Sequence, residues 1–182
     1  MEDNIALLKG SISRHDLTCM KSWARSLEIS EESGAILIDS QGGLSDPELL
    51  ANIVRVPLHT HVLRNAHSFA ALIALCGSFK TAEEDAMFMV HKARWSQTKT
   101  AGEIAKDQKI LDTHEYRVMS IMGSVLPAGD GKDQISRAMC STEDVYIDPL
   151  RLYEVAALDE IGSFIPKIKD QDIREWIRRK YE

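Results

Sequence analysis

The sequence predicts an α/β protein built on a parallel sheet, and three observations predict it. Short apolar runs alternate with helical patterns through the first half, in the order strand, helix, strand, helix, strand, helix, strand. That alternation marks parallel strands joined by helical crossovers. The strand runs are apolar almost without interruption, as a sheet covered on both faces requires. The length, 182 residues, is about one domain's worth, since single cores usually take roughly 100–200 residues.

Each element has its own signal. Ile5-Ala6-Leu7-Leu8 reads as the first strand, ending at Gly10. Asp16 to Leu27 is helix-like, with Leu17, Met20, Ala24 and Leu27 at three- and four-residue steps. Ser30 to Gly34 is a polar turn before the strand Ala35-Ile36-Leu37-Ile38. Pro47 suits the first turn of a helix whose apolar face is Leu49, Leu50, Ile53 and Val54. His59 to Leu63 is a third strand, and Ser68 to Cys76 a buried helix closed by Gly77. Met87 to Val90 is a fourth strand. The second half changes character: Ala101 to Val125 is one long helix, with Ile104, Ile110, Leu111, Tyr116, Met119 and Met122 on its apolar side. It projects as an arm, because one core cannot cover all of it. Residues 127–131 break the pattern. Lys132–Met139 is a short helix, Pro149 opens another running to about Ala157, and Ile173–Tyr181 can form a basic helix in the tail.

Composition excludes several classes. Hydrophobic residues make 44% and charged residues 27%, as in ordinary globular proteins. Aromatics are only 6%, so the core must rest on Leu, Ile, Val, Ala and Met. Lys plus Arg is 22 against 28 Asp plus Glu, a net charge of −6, which argues against nucleic acid as a partner. No apolar stretch approaches the ~18 residues of a membrane span. The acidic start Met1-Glu2-Asp3-Asn4 is unlike a secretory leader. Cys19, Cys76 and Cys140 are odd in number and widely spaced. They suit buried thiols in a reducing cytoplasm and fit neither a disulfide framework nor a zinc site. No cofactor is expected.

Four places carry candidate chemistry. Gly42-Gly43 follows a buried strand at the carboxyl edge of the sheet, where ligands bind in open α/β folds. Such glycines let backbone N–H groups face a ligand oxygen, although a plain tight turn reads equally from the pair. It is not a phosphate loop, since neither GxxxxGK[ST] nor GxGxxG is present. Ser68, at the passage from strand to helix, is either the helix N-cap or a nucleophile. As a nucleophile it would have the helix N-terminus beside it and the Phe69 N–H to donate to an oxyanion. His91, at a strand end, is either structural or the general base for Ser68. Asp144 is either a surface acid or helix cap, or the group that orients His91.

Around these residues the chain resembles the proteolytic subunit of the Clp protease, the ClpP family of serine peptidases. Residues 6–12 resemble the family's opening strand and turn. Ile36 to Gly43 resembles its "xINSPGG" segment, Ala66-His67-Ser68-Phe69-Ala70-Ala71 its "AASMGA" nucleophile motif, and Met89-Val90-His91-Lys92 its "MIHQ" motif. Thr142 to Ile147 resembles "ERDxFM", and Glu154 to Ile161 resembles "EYGLIDxV". The motifs fall in the family's order over roughly residues 5–162. The resemblance implies a ClpP/crotonase-like fold of repeated β-α-β units with a projecting handle helix at about 101–125. It divides the chain into one peptidase domain at 1–165 and a helical tail at 166–182. It implies Ser68 as nucleophile, His91 as base, Asp144 as orienter, and an oxyanion hole from the N–H groups of Gly43 and Phe69. It further implies a peptide or unfolded-protein substrate, a homo-oligomeric heptameric ring or double ring, and an ATPase unfoldase as a further partner.

The sequence departs from the family at His67, where a small residue is usual, and at Gln41, where the family has Pro. Ala93-Arg94-Trp95-Ser96-Gln97-Thr98 stands in place of its Gly-rich segment. Three readings follow: a serine endopeptidase, a catalytically silent ClpP-like assembly subunit, and a crotonase-type acyl-CoA enzyme that shares the sheet and a backbone oxyanion hole.

Overall fold

The computed structural model describes residues 4–93 and 101–162. Strand β1 (Ile5–Ile12) leads through helix α1 (Arg14–Ser30) to β2 (Gly34–Gly43), then α2 (Pro47–Ile53), β3 (Leu58–His67) and α3 (Phe69–Cys76). Strands β4 (Phe79–Ala82) and β5 (Met87–Val90) follow, then α4 (Ala101–Val125) and α5 (Asp130–Cys140). The described chain closes with β6 (Val145–Ile147), α6 (Pro149–Glu154) and β7 (Glu160–Ile161). The strands run in the order β1-β2-β3-β4-β7, all parallel. β5 joins β3 in parallel and β6 antiparallel. This is the predicted α/β class, with β-α-β units repeated through β3.

Local chemistry explains the boundaries. Ser13 and Asp16 form a reciprocal capping box, which starts α1 two residues earlier than the apolar period alone suggests. The Asp46 side chain caps α2 ahead of Pro47. Every residue of α3 is buried, as its uniformly apolar sequence predicts. Gly77, however, does not close α3 in a left-handed turn, since its φ is −61°. A Cβ there would meet the side chain of Thr60 on β3, so the glycine serves close helix-to-strand packing.

Three strands escape the sequence reading. β4 carries Lys80 in a run too polar to stand out, and its buried ammonium lies 3.7 Å from Asp159. β6 and β7 have only three and two residues, too short to show a period. The sheet is also less covered than expected. Leu7 of β1 is 62% exposed while Leu8 is 4%, so this edge strand buries one face only. The core does rest on aliphatic residues, but Phe69, Phe79 and Phe88 are all fully buried within it.

Helix α4 has the expected bounds and buries Met122 as expected, but the rest of its buried stripe differs. Val118 and Met122, with Leu126 just past its end, pack inward at four-residue steps, whereas Ile110 and Tyr116 are 52% and 75% exposed. The helix therefore docks through its C-terminal part, against α2 and α3. The expected tail helix and residues 94–98 lie outside the described residues.

β3 positions the site. Its first part, His59–Val62, pairs with β4, and its last part, Asn65–His67, pairs with β5. The β2–β3 register shifts between Ile38 and Ser40, and the β1–β2 register shifts between Gly10 and Ser11. Such irregularities bend strands and re-aim side chains. Here both flank Ser40.

Candidate active site

Three strand ends converge at one edge of the sheet. Ser68 follows the last residue of β3, His91 follows the last residue of β5, and Asp144 precedes the first residue of β6. The Ser68 N–H donates to the Met89 carbonyl at 2.6 Å, fastening the β3–α3 turn to β5. Val90 pairs with Val145 across the antiparallel β5–β6 ladder. His91 and Asp144 are the next residues beyond this last pair on the two strands.

Ser68 is strained. Its φ is 54° and its ψ is −124°, a region almost confined to glycine that costs an ordinary residue about 1–3 kcal/mol. Its hydroxyl makes no capping bond to α3, so the N-cap reading does not describe this serine. A sharp, strained strand-to-helix turn is how a nucleophile is lifted clear of its neighbours. Phe69 occupies the first turn of α3, where N–H groups have no intrahelical acceptor.

The two glycines have different neighbours. A Cβ on Gly42 (φ 78°) would lie 2.7 Å from the Cβ of Ser68 and against the His67 carbonyl oxygen. Only glycine lets β2 approach the serine this closely. A Cβ on Gly43 (φ 146°) would instead strike the backbone of Ile12 in β1. The Gly42 N–H donates to Ser40 Oγ at 3.1 Å, and the Leu44 N–H donates to the Ile12 carbonyl at 3.0 Å.

Nδ1 of His91 lies 2.6 Å from the Lys92 carbonyl oxygen. A carbonyl only accepts, so Nδ1 carries the proton and Nε2 is left as the basic nitrogen. Among the described residues no hydrogen bond joins Ser68 Oγ to His91. Asp144 is exposed, and its charge acts on His67.

A family model for Clp protease matches residues 16–149, a span that holds Gly43, Ser68, His91 and Asp144. The chain belongs to the Clp protease family. No curated protein gives a match. Members of this family typically form oligomeric rings.

In this Clp protease family member, burial holds the His67 imidazole below its ordinary pKa, and the Asp144 carboxylate partly offsets that. His67 Nε2 is buried without a hydrogen-bond partner among the described residues, and the ring packs edge-on against Tyr146, centroids 6.1 Å apart. Of the three cysteines expected to be buried, Cys76 is, whereas Cys19 and Cys140 are exposed; burial pushes the Cys76 thiol up to about 12, so it is protonated and offers no competing nucleophile. Among the described residues no group of three or more His, Cys, Asp or Glu could hold a metal ion. No described helix is long and apolar enough to cross a membrane.

Two supports of the site were not visible in the sequence. Ser40 is fully buried; its hydroxyl donates to the Gly10 carbonyl at 2.6 Å and accepts the Gly42 N–H. It ties β1 to the glycine turn. Adjacent residues of α4 hold both lips of the site. His114 Nε2 lies 2.7 Å from Ser45 Oγ, just past the glycines, and Glu115 lies 3.6 Å from the ammonium of Lys92, just past His91. Burial holds His114 below its ordinary pKa, against the pull of Asp46 and Glu115. A serine between two irregularities and an i, i+1 pair on a distant helix leave no local sequence signal. A separate cavity of about 580 Å³ opens among Asp133, Arg137, Ser141 and Arg151, beside β6.

Proposed function

We propose that this Clp protease family member is a serine endopeptidase. The observation that carries the reading is Ser68 itself: a non-glycine residue held at φ 54°, ψ −124° at the mouth of a buried helix, its hydroxyl left out of helix capping. Strain of that kind persists only where the surroundings over-determine it, and it collects at active sites.

In this reading Ser68 Oγ attacks the scissile peptide carbonyl and passes its proton to Nε2 of His91. The negative charge on the tetrahedral oxygen meets the N–H of Phe69, at the positive end of α3, and the N–H of Gly43. The imidazolium of His91 then protonates the leaving amine. Water repeats the sequence on the acyl-enzyme, with His91 again as base. Asp144 supplies negative charge to this imidazole-bearing edge. The substrate is a peptide or unfolded protein. The working form is a ring of seven copies or a stacked pair, fed by an ATPase unfoldase, in a reducing cytoplasm. The family match favours this reading over acyl-CoA chemistry.

The test is covalent labelling. A fluorophosphonate should modify Ser68, and Ser68→Ala should abolish labelling and cut peptide hydrolysis by about 10⁴-fold or more. An intact ring with no labelled serine would favour the silent assembly subunit instead.

A further inference from the structure

The turn that carries Gly43 stands out from the sheet: Gly43, Leu44 and Ser45 are all exposed. Two bonds hold its inner side. The Gly42 N–H donates to Ser40 Oγ of β2, and the Leu44 N–H donates to the Ile12 carbonyl of β1. Both tie the turn to the strands it leaves, and neither fixes its tilt. The outer side is held from another layer. His114 Nε2 of α4 lies 2.7 Å from Ser45 Oγ, across 69 residues of sequence. Burial holds that imidazole below its ordinary pKa, so the ring is neutral at pH 7. A neutral imidazole can donate to a hydroxyl or accept from it. The ring is carried by a helix whose following turns pack into the core at Val118 and Met122. The next residue, Asp46, caps α2 and pairs with Lys21 of α1 at 2.9 Å, which fixes the following helix rather than the turn.

We propose that His114 is a positioning residue for the oxyanion turn: through Ser45 it holds the Gly43 N–H where the negative oxygen of the tetrahedral intermediate forms. An oxyanion donor contributes most when it is aimed before the charge appears. Gly43 has no side chain and a φ of 146°, so its aim is inherited from the residues on either side. Upstream that support is Ser40, and downstream it is His114. The inference rests on Ser68 as nucleophile and Gly43 as an oxyanion donor.

The experiment compares peptide hydrolysis by the full chain as wild type, Ser45→Ala, His114→Leu, the double variant and His114→Gln. Ser45→Ala and His114→Leu remove the same bond. Each should lower kcat about 10-fold, less than the roughly 100-fold or more for deleting an oxyanion donor outright. KM should stay unchanged, the mark of support felt in the transition state alone. The double variant should be no slower than either single variant, since one interaction is lost in all three. His114→Gln should restore most of the rate, because its amide nitrogen can stand near the place of Nε2. A merely structural role would lower Tm without this pattern. Should His114→Leu fail to fold or assemble, Ser45→Ala, an exposed substitution outside α4, still decides. A kcat near wild type in Ser45→Ala, or a rise in KM alone, overturns the proposal. So does a double variant slowed by the product of the two single effects. Fluorophosphonate labelling separates the two readings. A wild type with no labelled Ser68 ends the serine peptidase reading and this proposal with it, whereas a labelled Ser68 with undiminished variants ends this proposal alone.

Discussion

β3 carries histidines at both ends, and the two ends use them differently. At its start His59 and His61 are 2% and 1% exposed and share one hydroxyl, with Thr81 Oγ1 2.7 Å from His59 Nε2 and 2.7 Å from His61 Nδ1. His61 also faces Glu83 at 3.5 Å. At its other end His67 keeps a buried nitrogen without a partner and borders a strained serine. The strand, the residue type and the low exposure are shared. What differs is the neighbour strand: β4 supplies a hydroxyl at the matching register, whereas β5 supplies Met89. The adjacent strand thus anchors one nitrogen of each imidazole at the start of β3, and at the end of β3 the neighbouring residue has no hydroxyl to do the same.

The contrast can be broken from either end. The largest effect is expected for Gly42→Ala. A methyl group there meets Ser68 and requires a positive φ, so kcat should fall about 100-fold, the usual result of displacing a reacting group by roughly 1 Å. Peptide hydrolysis measured on folded, assembled protein checks this, and a rate near wild type would show that the close approach of β2 is unimportant. Thr81→Val acts on the opposite end. Removing the hydroxyl shared by two buried imidazoles should cost about 2 kcal/mol. That is a drop of about 4–8 °C in Tm for a chain of this size. The kcat of the folded protein should stay unchanged, and a loss of activity with full stability would erase the distinction between the ends.

The smallest effect is a pH slope. Burial holds His61, His67 and His114 below their ordinary pKa, in each case against a nearby carboxylate. The unfolded chain therefore takes up protons at higher pH, near 6.5, than the folded one. Stability is then fully present above about pH 6.5 and declines as pH falls through that value toward the lower folded pKa values. Thermal melts between pH 7.5 and 5.5 should show a shallow fall in Tm, flatter in His61→Gln. An unchanged slope in that variant would mean that His61 does not take part.

The parts of this architecture that were legible in the sequence are those set by local pattern. The four apolar strand runs, the buried α3 and the bounds of α4 all follow from apolar spacing and from breakers. Ser68, His91 and Asp144 stand out because they lie at element ends within motifs that resemble a known family. What stayed hidden depends on partners distant in sequence. β4 is held by Asp159, 79 residues on. The Gly77 requirement comes from Thr60 on another strand, and the Gly42 requirement comes from Ser68. The Lys92 carbonyl cannot be seen at all, since every residue has one and only geometry shows which is used. Ile110 and Tyr116 fit the apolar period of α4 yet stay exposed, because the neighbouring helices reach only its later turns.

The two α4 contacts act like the jaws of a caliper. Ser45 and Lys92 mark opposite lips of the site, and both are referenced to adjacent residues, His114 and Glu115, of one rigid rod. The segment after the glycines and the segment after His91 therefore share one point of reference on a single helix.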